Sequence, residues 1–336
     1  MRRLLRWPVR IAVTLLALAI VYVAASVAWV SRHESAVAAA TAPAQGRFTD
    51  VGGVQVFSQD FGPANGVPIL LVHGTAAWSG TWFELVPVLE NAGWRVIAVD
   101  LPPFGYSDKR AGIDFSRPAQ ARRLLAVLDA WKVDRAFVVG HSFGGGPALE
   151  FALSDPGRVR ELVLVDAALG LQAPPPDPAS ATCRIFGTPA LRDIVMASTA
   201  GNPLWSTKLL KGFVARKEAV TPERMVQYRR PAALRGANAA LGAWANHFAC
   251  QRESGLSTQP DAIRKLDVPT SLIWGAEDSI TPLEQARHLQ TLLPNAKLHV
   301  VDGVGHIPHI EDPATFARTL LDVLATPPVP DLPPSR

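Results

Sequence analysis

The 336-residue sequence predicts an α/β protein with a mostly parallel central sheet flanked by helices, an inserted helical cap and an N-terminal transmembrane helix. Continuous apolar runs alternate with helix-length segments, as expected for parallel strands buried on both faces. A long stretch without strand patterning interrupts this alternation, and the first thirty residues are strongly apolar. The predicted strands are residues 67–72, 94–99, 136–139, 162–165, 270–274 and 298–301, and the predicted helices are 82–92, 120–131, 143–153, 282–293 and 313–324.

The apolar N-terminal segment covers residues 11–30, which include no charged side chain. As a helix it would be about 30 Å long, enough to cross the hydrocarbon layer of a membrane. Arginines precede it at positions 2, 3, 6 and 10, so the positive-inside rule predicts a cytoplasmic N-terminus and an extracytoplasmic body. A cleaved signal peptide, with release of the body, is the alternative, although signal cores are usually about 7 to 15 residues long.

The chain divides into five predicted regions. Residues 1–31 form a basic flank and transmembrane anchor, and the Ala-rich residues 32–45 form a tether. The α/β core comprises residues 46–169 and 268–325. Residues 170–267 form a helical cap inserted into this core, and the proline-rich residues 326–336 form a loose tail.

Charge is distributed unevenly along the chain. The formal net charge of +4 equals that of the four N-terminal arginines, so the remainder is neutral and nucleic-acid binding is not expected. Within the cap, residues 183–255 contain eleven basic and four acidic residues, which favours either a solvated helical surface or one that faces lipid headgroups. The only two cysteines, Cys183 and Cys250, lie in this segment and could form one disulfide or remain two buried thiols.

Ser142 is the candidate nucleophile. It lies in the sequence GHSFG, directly after the predicted strand 136–139 and before a helix. A sharp strand-to-helix turn exposes a serine hydroxyl at the sheet edge, and flanking glycines relieve the crowding that the turn creates. A Gly-rich turn with a capping serine is the alternative interpretation.

Serine needs a base, and the base needs a carboxylate that fixes its tautomer. His306 follows the last predicted strand and Asp278 follows the one before it, so all three groups lie beyond strand C-terminal ends, where such sheets place their sites. Asp166 and Glu277 are the alternatives for the carboxylate, and His309 is the alternative for the base. The backbone N–H groups of Thr75 and Phe143 are the predicted oxyanion donors, whereas His73 is expected to order the loop at Thr75.

These segments together resemble the α/β-hydrolase superfamily, specifically its cap-bearing branch of serine hydrolases and esterases. The resemblance extends over residues 48–324. The sequence DLPPFGYS at 100–107 is similar to the family's loop after its fourth strand, except that Pro103 replaces a glycine, and GHIPHIEDP at 305–313 is similar to the family's final motif. This match supports His306 as the base.

Departures from the family narrow the expected reaction. Epoxide hydrolases and haloalkane dehalogenases of this branch use an aspartate where Ser142 stands, and carbon–carbon bond hydrolases typically have a tryptophan where Ile307 stands. We therefore expect cleavage of a carboxylic ester, with a hydrophobic acyl compound as substrate and no cofactor or metal. The alternatives are a carbon–carbon bond hydrolase, a serine acyltransferase, and a non-catalytic ligand-binding member of the fold.

Overall fold

The computed structural model describes residues 6–293 and 295–324. Eight strands form one sheet in the order β1-β2-β4-β3-β5-β6-β7-β8. The strands are β1 (Gly46–Val51), β2 (Val54–Phe61), β3 (Val67–Val72), β4 (Trp94–Asp100), β5 (Ala136–His141), β6 (Val159–Val165), β7 (Thr270–Gly275) and β8 (Lys297–Val301). The six neighbouring strands β4, β3, β5, β6, β7 and β8 pair in parallel, each with the next in the sheet. The prediction of an α/β fold with a mostly parallel sheet is therefore confirmed.

The sequence-based interpretation missed the antiparallel hairpin of β1 and β2. Its strands are partly exposed and therefore lack the continuous apolar run that identified the others. The turn between them, Gly52 and Gly53, has positive φ angles of 61° and 82°, which glycine adopts without strain. β2 then pairs antiparallel with β4 and joins the hairpin to the parallel strands.

Helices cover the sheet and fill the cap. In chain order they are α1 (Arg6–His33), α2 (Ala38–Thr41), α3 (Val86–Asn91), α4 (Arg117–Ala130), α5 (Gly145–Ser154), α6 (Ala181–Gly187), α7 (Pro189–Ser198), α8 (Pro203–Phe213), α9 (Pro222–Arg229), α10 (Ala237–Cys250), α11 (Pro260–Ile263), α12 (Leu283–Leu292), α13 (Pro308–Glu311) and α14 (Pro313–Leu324). Helices α6 to α11 lie between β6 and β7, where the sequence shows no strand pattern.

Two hydrophobic clusters lie on the two faces of the sheet. One packs α4, α5 and α12 against side chains such as Leu70, Val138 and Leu164. The other packs α3 and α14 against the opposite face, where alternate residues such as Leu71 and Val139 point. Burial on both faces explains why these strands are apolar throughout.

A disulfide joins Cys183 of α6 to Cys250 at the end of α10, with their Cα atoms 5.4 Å apart. We call it the cap disulfide. The bond lies wholly within the cap and joins two helices that also pack against each other.

The segment expected to be a tether is packed instead. α1 continues to His33, and Ala36 forms a β-bridge with Leu234 of the cap. The carboxylate of Glu34 accepts a hydrogen bond from the Asn238 N–H at 2.5 Å, which satisfies a donor at the start of α10. The arginines at 2 and 3 and the proline-rich residues 326–336 lie outside the described residues.

Candidate active site

Ser142 lies at the end of β5, in a turn that leads directly into α5. Its φ of +51° falls in the left-handed region, a strained conformation for serine that holds its side chain above the sheet edge. Gly144 permits the turn, because a Cβ there would lie 2.5 Å from the carbonyl oxygen of His73. The sequence thus folds tightly enough to bring the loop after β3 against the serine.

A chain of two hydrogen bonds connects Ser142, His306 and Asp278. The Ser142 Oγ is 2.8 Å from His306 Nε2, and His306 Nδ1 is 2.8 Å from Asp278 Oδ2. All three side chains are buried, with exposed fractions of 5%, 1% and 5%. With the Nδ1–H donated to the carboxylate, Nε2 is free to accept the serine proton, as general-base catalysis requires.

Backbone and hydroxyl donors fix the Asp278 carboxylate. Its Oδ1 accepts from the N–H groups of Ile280 and Thr281, and its Oδ2 accepts from the Thr281 hydroxyl at 2.6 Å. Burial acts to raise the pKa of Asp278, but the hydrogen bond and charge of His306 outweigh it and lower that pKa below its usual range. Thr281 was missed by sequence reasoning, although its position three residues after an aspartate is typical of a turn that caps a carboxylate.

The other candidate carboxylates differ from Asp278 in environment. Glu277 is exposed. Asp166 is fully buried near Asp278 and His306, its Oδ1 accepts from the Gly275 N–H, and burial together with the Asp278 charge raises its pKa well above the usual range. The raised pKa favours the neutral acid, which stabilises an imidazolium less than an ionised carboxylate does.

His309 and His73, the two other histidines that the sequence analysis considered, make different contacts. His309 Nε2 is 3.0 Å from the Thr81 hydroxyl, and burial lowers its pKa well below the usual range. His73 Nδ1 donates to the carbonyl of Gly74 and its Nε2 accepts from the Leu101 N–H, so this side chain connects two loops of the backbone. Burial lowers the pKa of His73 to about 4, which keeps it neutral.

Glu311, a second residue that sequence reasoning missed, holds the loop that carries His306. Its carboxylate accepts from the N–H groups of Gly305 and Ile307, on either side of the histidine, and from that of Ala215 in the cap. The contacts tie the base to both core and cap. The available signal for Glu311 was its place in the motif GHIPHIEDP at 305–313.

The two predicted oxyanion donors flank the serine. Thr75 lines the cavity above Ser142, and Phe143 follows the serine directly. The loop of Thr75 approaches the nucleophile closely, since a Cβ on Gly74 would lie 3.0 Å from the Ser142 Cβ. Phe143 packs its ring against Trp244 of the cap, which limits motion of the residue that carries the second N–H.

Ser142 and His306 open into a cavity of about 220 Å³ between core and cap. Its walls are largely apolar, and they include Trp29 and Val30 of α1. The charged side chains of Glu34, Lys109 and Arg229 also line it. The Arg229 guanidinium donates to the hydroxyls of Ser206 and Thr207 and to a backbone carbonyl, all of them neutral oxygens, so its charge is not paired by these contacts. The cavity therefore combines Ser142, a largely apolar wall and a few charged groups, of which Arg229 is one.

Comparisons with known proteins agree with this architecture. The model of the α/β hydrolase fold family matches residues 67–313. A 2-hydroxymuconate semialdehyde hydrolase of Pseudomonas sp. (strain CF600) is 32% identical over 84% of this chain and 95% of its own length. A crystal structure of a meta-cleavage product hydrolase superposes with a TM-score of 0.64 at 25% identity, over 83% of this chain and 97% of that one.

A crystal structure of a membrane phospholipase A is similar over more of the chain. It superposes with a TM-score of 0.64 over 96% of this chain and 98% of that one. Its sequence identity is 22%, so it shows likeness of fold alone.

The prediction of carboxylic ester cleavage is wrong. The relatives with the stronger sequence similarity hydrolyse a carbon–carbon bond, which was our alternative. The prediction gave too much weight to Ile307 in place of a tryptophan. Ile307 packs in an apolar cluster with Val214, Met225 and Ile310, and it also lines the cavity that contains Ser142.

Proposed function

The chain belongs to the α/β hydrolase fold family, and on that basis we propose that it is a serine hydrolase that cleaves a carbon–carbon bond beside a carbonyl group. The observation that carries the proposal is that Ser142, His306 and Arg229 line one cavity. A substrate such as 2-hydroxymuconate semialdehyde has a carboxylate at one end and a conjugated carbonyl at the other. Arg229 would bind the carboxylate and Ser142 would attack the carbonyl.

In the proposed reaction, Ser142 Oγ attacks the carbonyl carbon while His306 Nε2 takes its proton. The N–H groups of Thr75 and Phe143 stabilise the oxyanion, and Asp278 stabilises the imidazolium. Collapse breaks the carbon–carbon bond, and the electron pair delocalises into the conjugated 2-oxo group of the substrate's keto tautomer. The departing fragment takes the proton from His306, and water activated by His306 then hydrolyses the acyl group from Ser142.

The test uses the purified full chain with 2-hydroxymuconate semialdehyde and its methyl-ketone homologue, and follows loss of the conjugated chromophore. We expect turnover by the wild type and about 10⁴-fold or greater loss in Ser142→Ala. Labelling of Ser142 by a fluorophosphonate without turnover of either compound would reject carbon–carbon hydrolysis. Absence of labelling would reject the serine enzyme altogether.

The role of Arg229 can be tested separately. A charge-assisted hydrogen bond contributes about 1.5–3 kcal/mol, so Arg229→Met should raise KM by roughly 10- to 150-fold. Arg230→Met is the matched control, because Arg230 is the exposed neighbour in sequence and does not line the cavity. With the carboxamide analogue of the substrate, wild type and Arg229→Met should have equal KM; a difference that persists there would indicate that Arg229 only supports the fold.

We further propose that α1 is an uncleaved membrane anchor with a cytoplasmic N-terminus. Trp7–His33 is long and apolar enough to cross a membrane, and a signal sequence passes the same test. The cap disulfide supports an extracytoplasmic body, because disulfides persist in oxidising compartments. External protease should digest the body in spheroplasts and not in inverted vesicles, and a mature chain that begins after residue 36 would show cleavage instead.

A further inference from the structure

α1 is covered by the protein along only part of its length. The large apolar side chains from Trp7 to Val21 are more than half exposed, whereas Ser26 and Val30 are 4% and 8% exposed. Tyr22, Ser26 and Val30 follow one another at four-residue intervals and therefore share one face of the helix. This face packs against the cap.

Polar contacts fix the position of the cap on α1. The Tyr22 hydroxyl donates to the carbonyl oxygen of Ser198 at 2.6 Å, and the Asn202 side chain donates to Ser26 Oγ at 3.0 Å. Ser198 ends α7 and Asn202 caps α8. The junction of these two cap helices is thus joined to the middle of the apolar sequence.

The length of α1 sets the depth of this junction in a membrane. Residues 11–30 need their full length of about 30 Å to span the hydrocarbon layer, and residues 7–21 alone would give only about 22 Å. Ser26 and Tyr22 lie four and eight residues before Val30, so they lie about 6 and 12 Å inside the layer. The start of α8 must then lie within the outer leaflet.

Apolar side chains of α7 and α8 are exposed on the cap surface. Leu204 and Trp205, which follow Asn202 directly, are 71% and 43% exposed, and Leu191 of α7 is 48% exposed. Large exposed apolar side chains can mark an interaction surface when they lie together, as Leu204 and Trp205 do in sequence, and tryptophan is typical of the membrane interface. The Lys208 ammonium lies 4.7 Å from the Trp205 ring, where its charge can reach the anionic headgroups.

We propose that the exposed apolar faces of α7 and α8 insert into the outer leaflet of a phospholipid bilayer beside α1. This inference rests on the proposed anchor. It gives the protein a second membrane contact, and it places the active-site cavity next to lipid, because α8 also lines that cavity through Leu209 and Leu210.

The test places a nitroxide label on the full chain in vesicles of equal parts phosphatidylcholine and phosphatidylglycerol. The variants are Leu204→Cys and Leu191→Cys, both at exposed positions that can change without loss of core packing. Val300→Cys is the control, since Val300 is a 43% exposed apolar residue on the edge strand of the core. The native cysteines are both in the cap disulfide and do not compete for the label.

For each label we measure the ratio of its collision rate with oxygen to its collision rate with a water-soluble nickel chelate. We expect this ratio to be several-fold higher for the labels at 204 and 191 than for the label at 300. Equal ratios at all three sites would overturn the proposal. If the labels at 204 and 191 collide rarely with both reagents and their spectra show dipolar broadening between labels, the surface instead contacts a second copy of the chain. That result would overturn the proposal. Failure of the wild type to float with the vesicles would instead reject the anchor itself.

Discussion

Replacement of Asp278 by asparagine should abolish catalysis without unfolding the protein. Asparagine keeps the oxygen that accepts from Ile280 and Thr281 but presents an NH₂ group to His306. A donor there can face only an unprotonated Nδ1, so the imidazole proton moves to Nε2 and points at Ser142. The base can then no longer accept the serine proton, and we expect kcat to fall about 10⁴-fold, which is about 5 kcal/mol of transition-state stabilisation.

Asp278→Ala separates this catalytic effect from a structural one. It should lose activity to a similar extent, but it also leaves the N–H groups of Ile280 and Thr281 and the Thr281 hydroxyl without their acceptor. The asparagine variant keeps Oδ1 but also lacks the Oδ2 acceptor, so the alanine variant loses two more hydrogen bonds than it does. At about 1 kcal/mol for each, the free energy of unfolding should fall by about 2 kcal/mol relative to the asparagine variant. Urea unfolding measures the stability, and the rate of fluorophosphonate labelling at Ser142 measures the reactivity, whatever the natural substrate.

Asp166→Asn is the matched control. Burial and the Asp278 charge raise the pKa of Asp166 and so favour its neutral form. A neutral amide that still accepts from the Gly275 N–H should therefore leave the labelling rate within a few-fold of wild type. Labelling of Asp278→Asn at more than about a tenth of the wild-type rate would refute this role of Asp278, and so would a loss of labelling rate in Asp166→Asn as large as that in Asp278→Asn. In either case another carboxylate would support His306.

Three further predictions concern α1 and the cap. Trp29→Ala should raise KM with a smaller change in kcat, because Trp29 lines the cavity, whereas Trp7→Ala on the exposed half of α1 should match wild type. Replacing both cysteines with serine should lower the free energy of cap unfolding by about 4 kcal/mol, as expected from the 67-residue separation, and limited proteolysis should detect it; unchanged protease resistance would contradict this. Burial acts to lower the pKa of His247, but the hydrogen bond and charge of Glu253 outweigh it and raise that pKa. The stability that the charged His247 contributes is present below pH ~6.5 and is lost as pH rises through the raised pKa. The melting temperature should therefore fall over that range in wild type and not in Glu253→Gln.

The parallel strands could be predicted because their signal is local. A strand buried on both faces must be apolar at each position, and the residues that carry chemistry follow such strands directly, as Ser142 and Asp278 do. The β1–β2 hairpin and the supporting roles of Thr281 and Glu311 could not be predicted in this way. Their effect depends on backbone groups that are brought together only by the fold. The position of Thr281 after Asp278 and of Glu311 in the final motif are signals, but neither signal shows which groups these side chains bind.

The docking of α1 on the cap shows why hydropathy alone was insufficient for the N-terminal region. Averaged over twenty residues, the segment reads as a helix that faces lipid on all sides, and the hydroxyls of Tyr22 and Ser26 have little effect on that average. Their four-residue spacing is the informative signal, because polar groups repeated on one face within an apolar span must bond to protein. The acceptor and donor they find, the Ser198 carbonyl and the Asn202 amide, lie far away in sequence within the cap. Helix α1 and the cap are therefore one packed unit, and a fragment that begins after α1 would lack a wall of the cavity that contains Ser142.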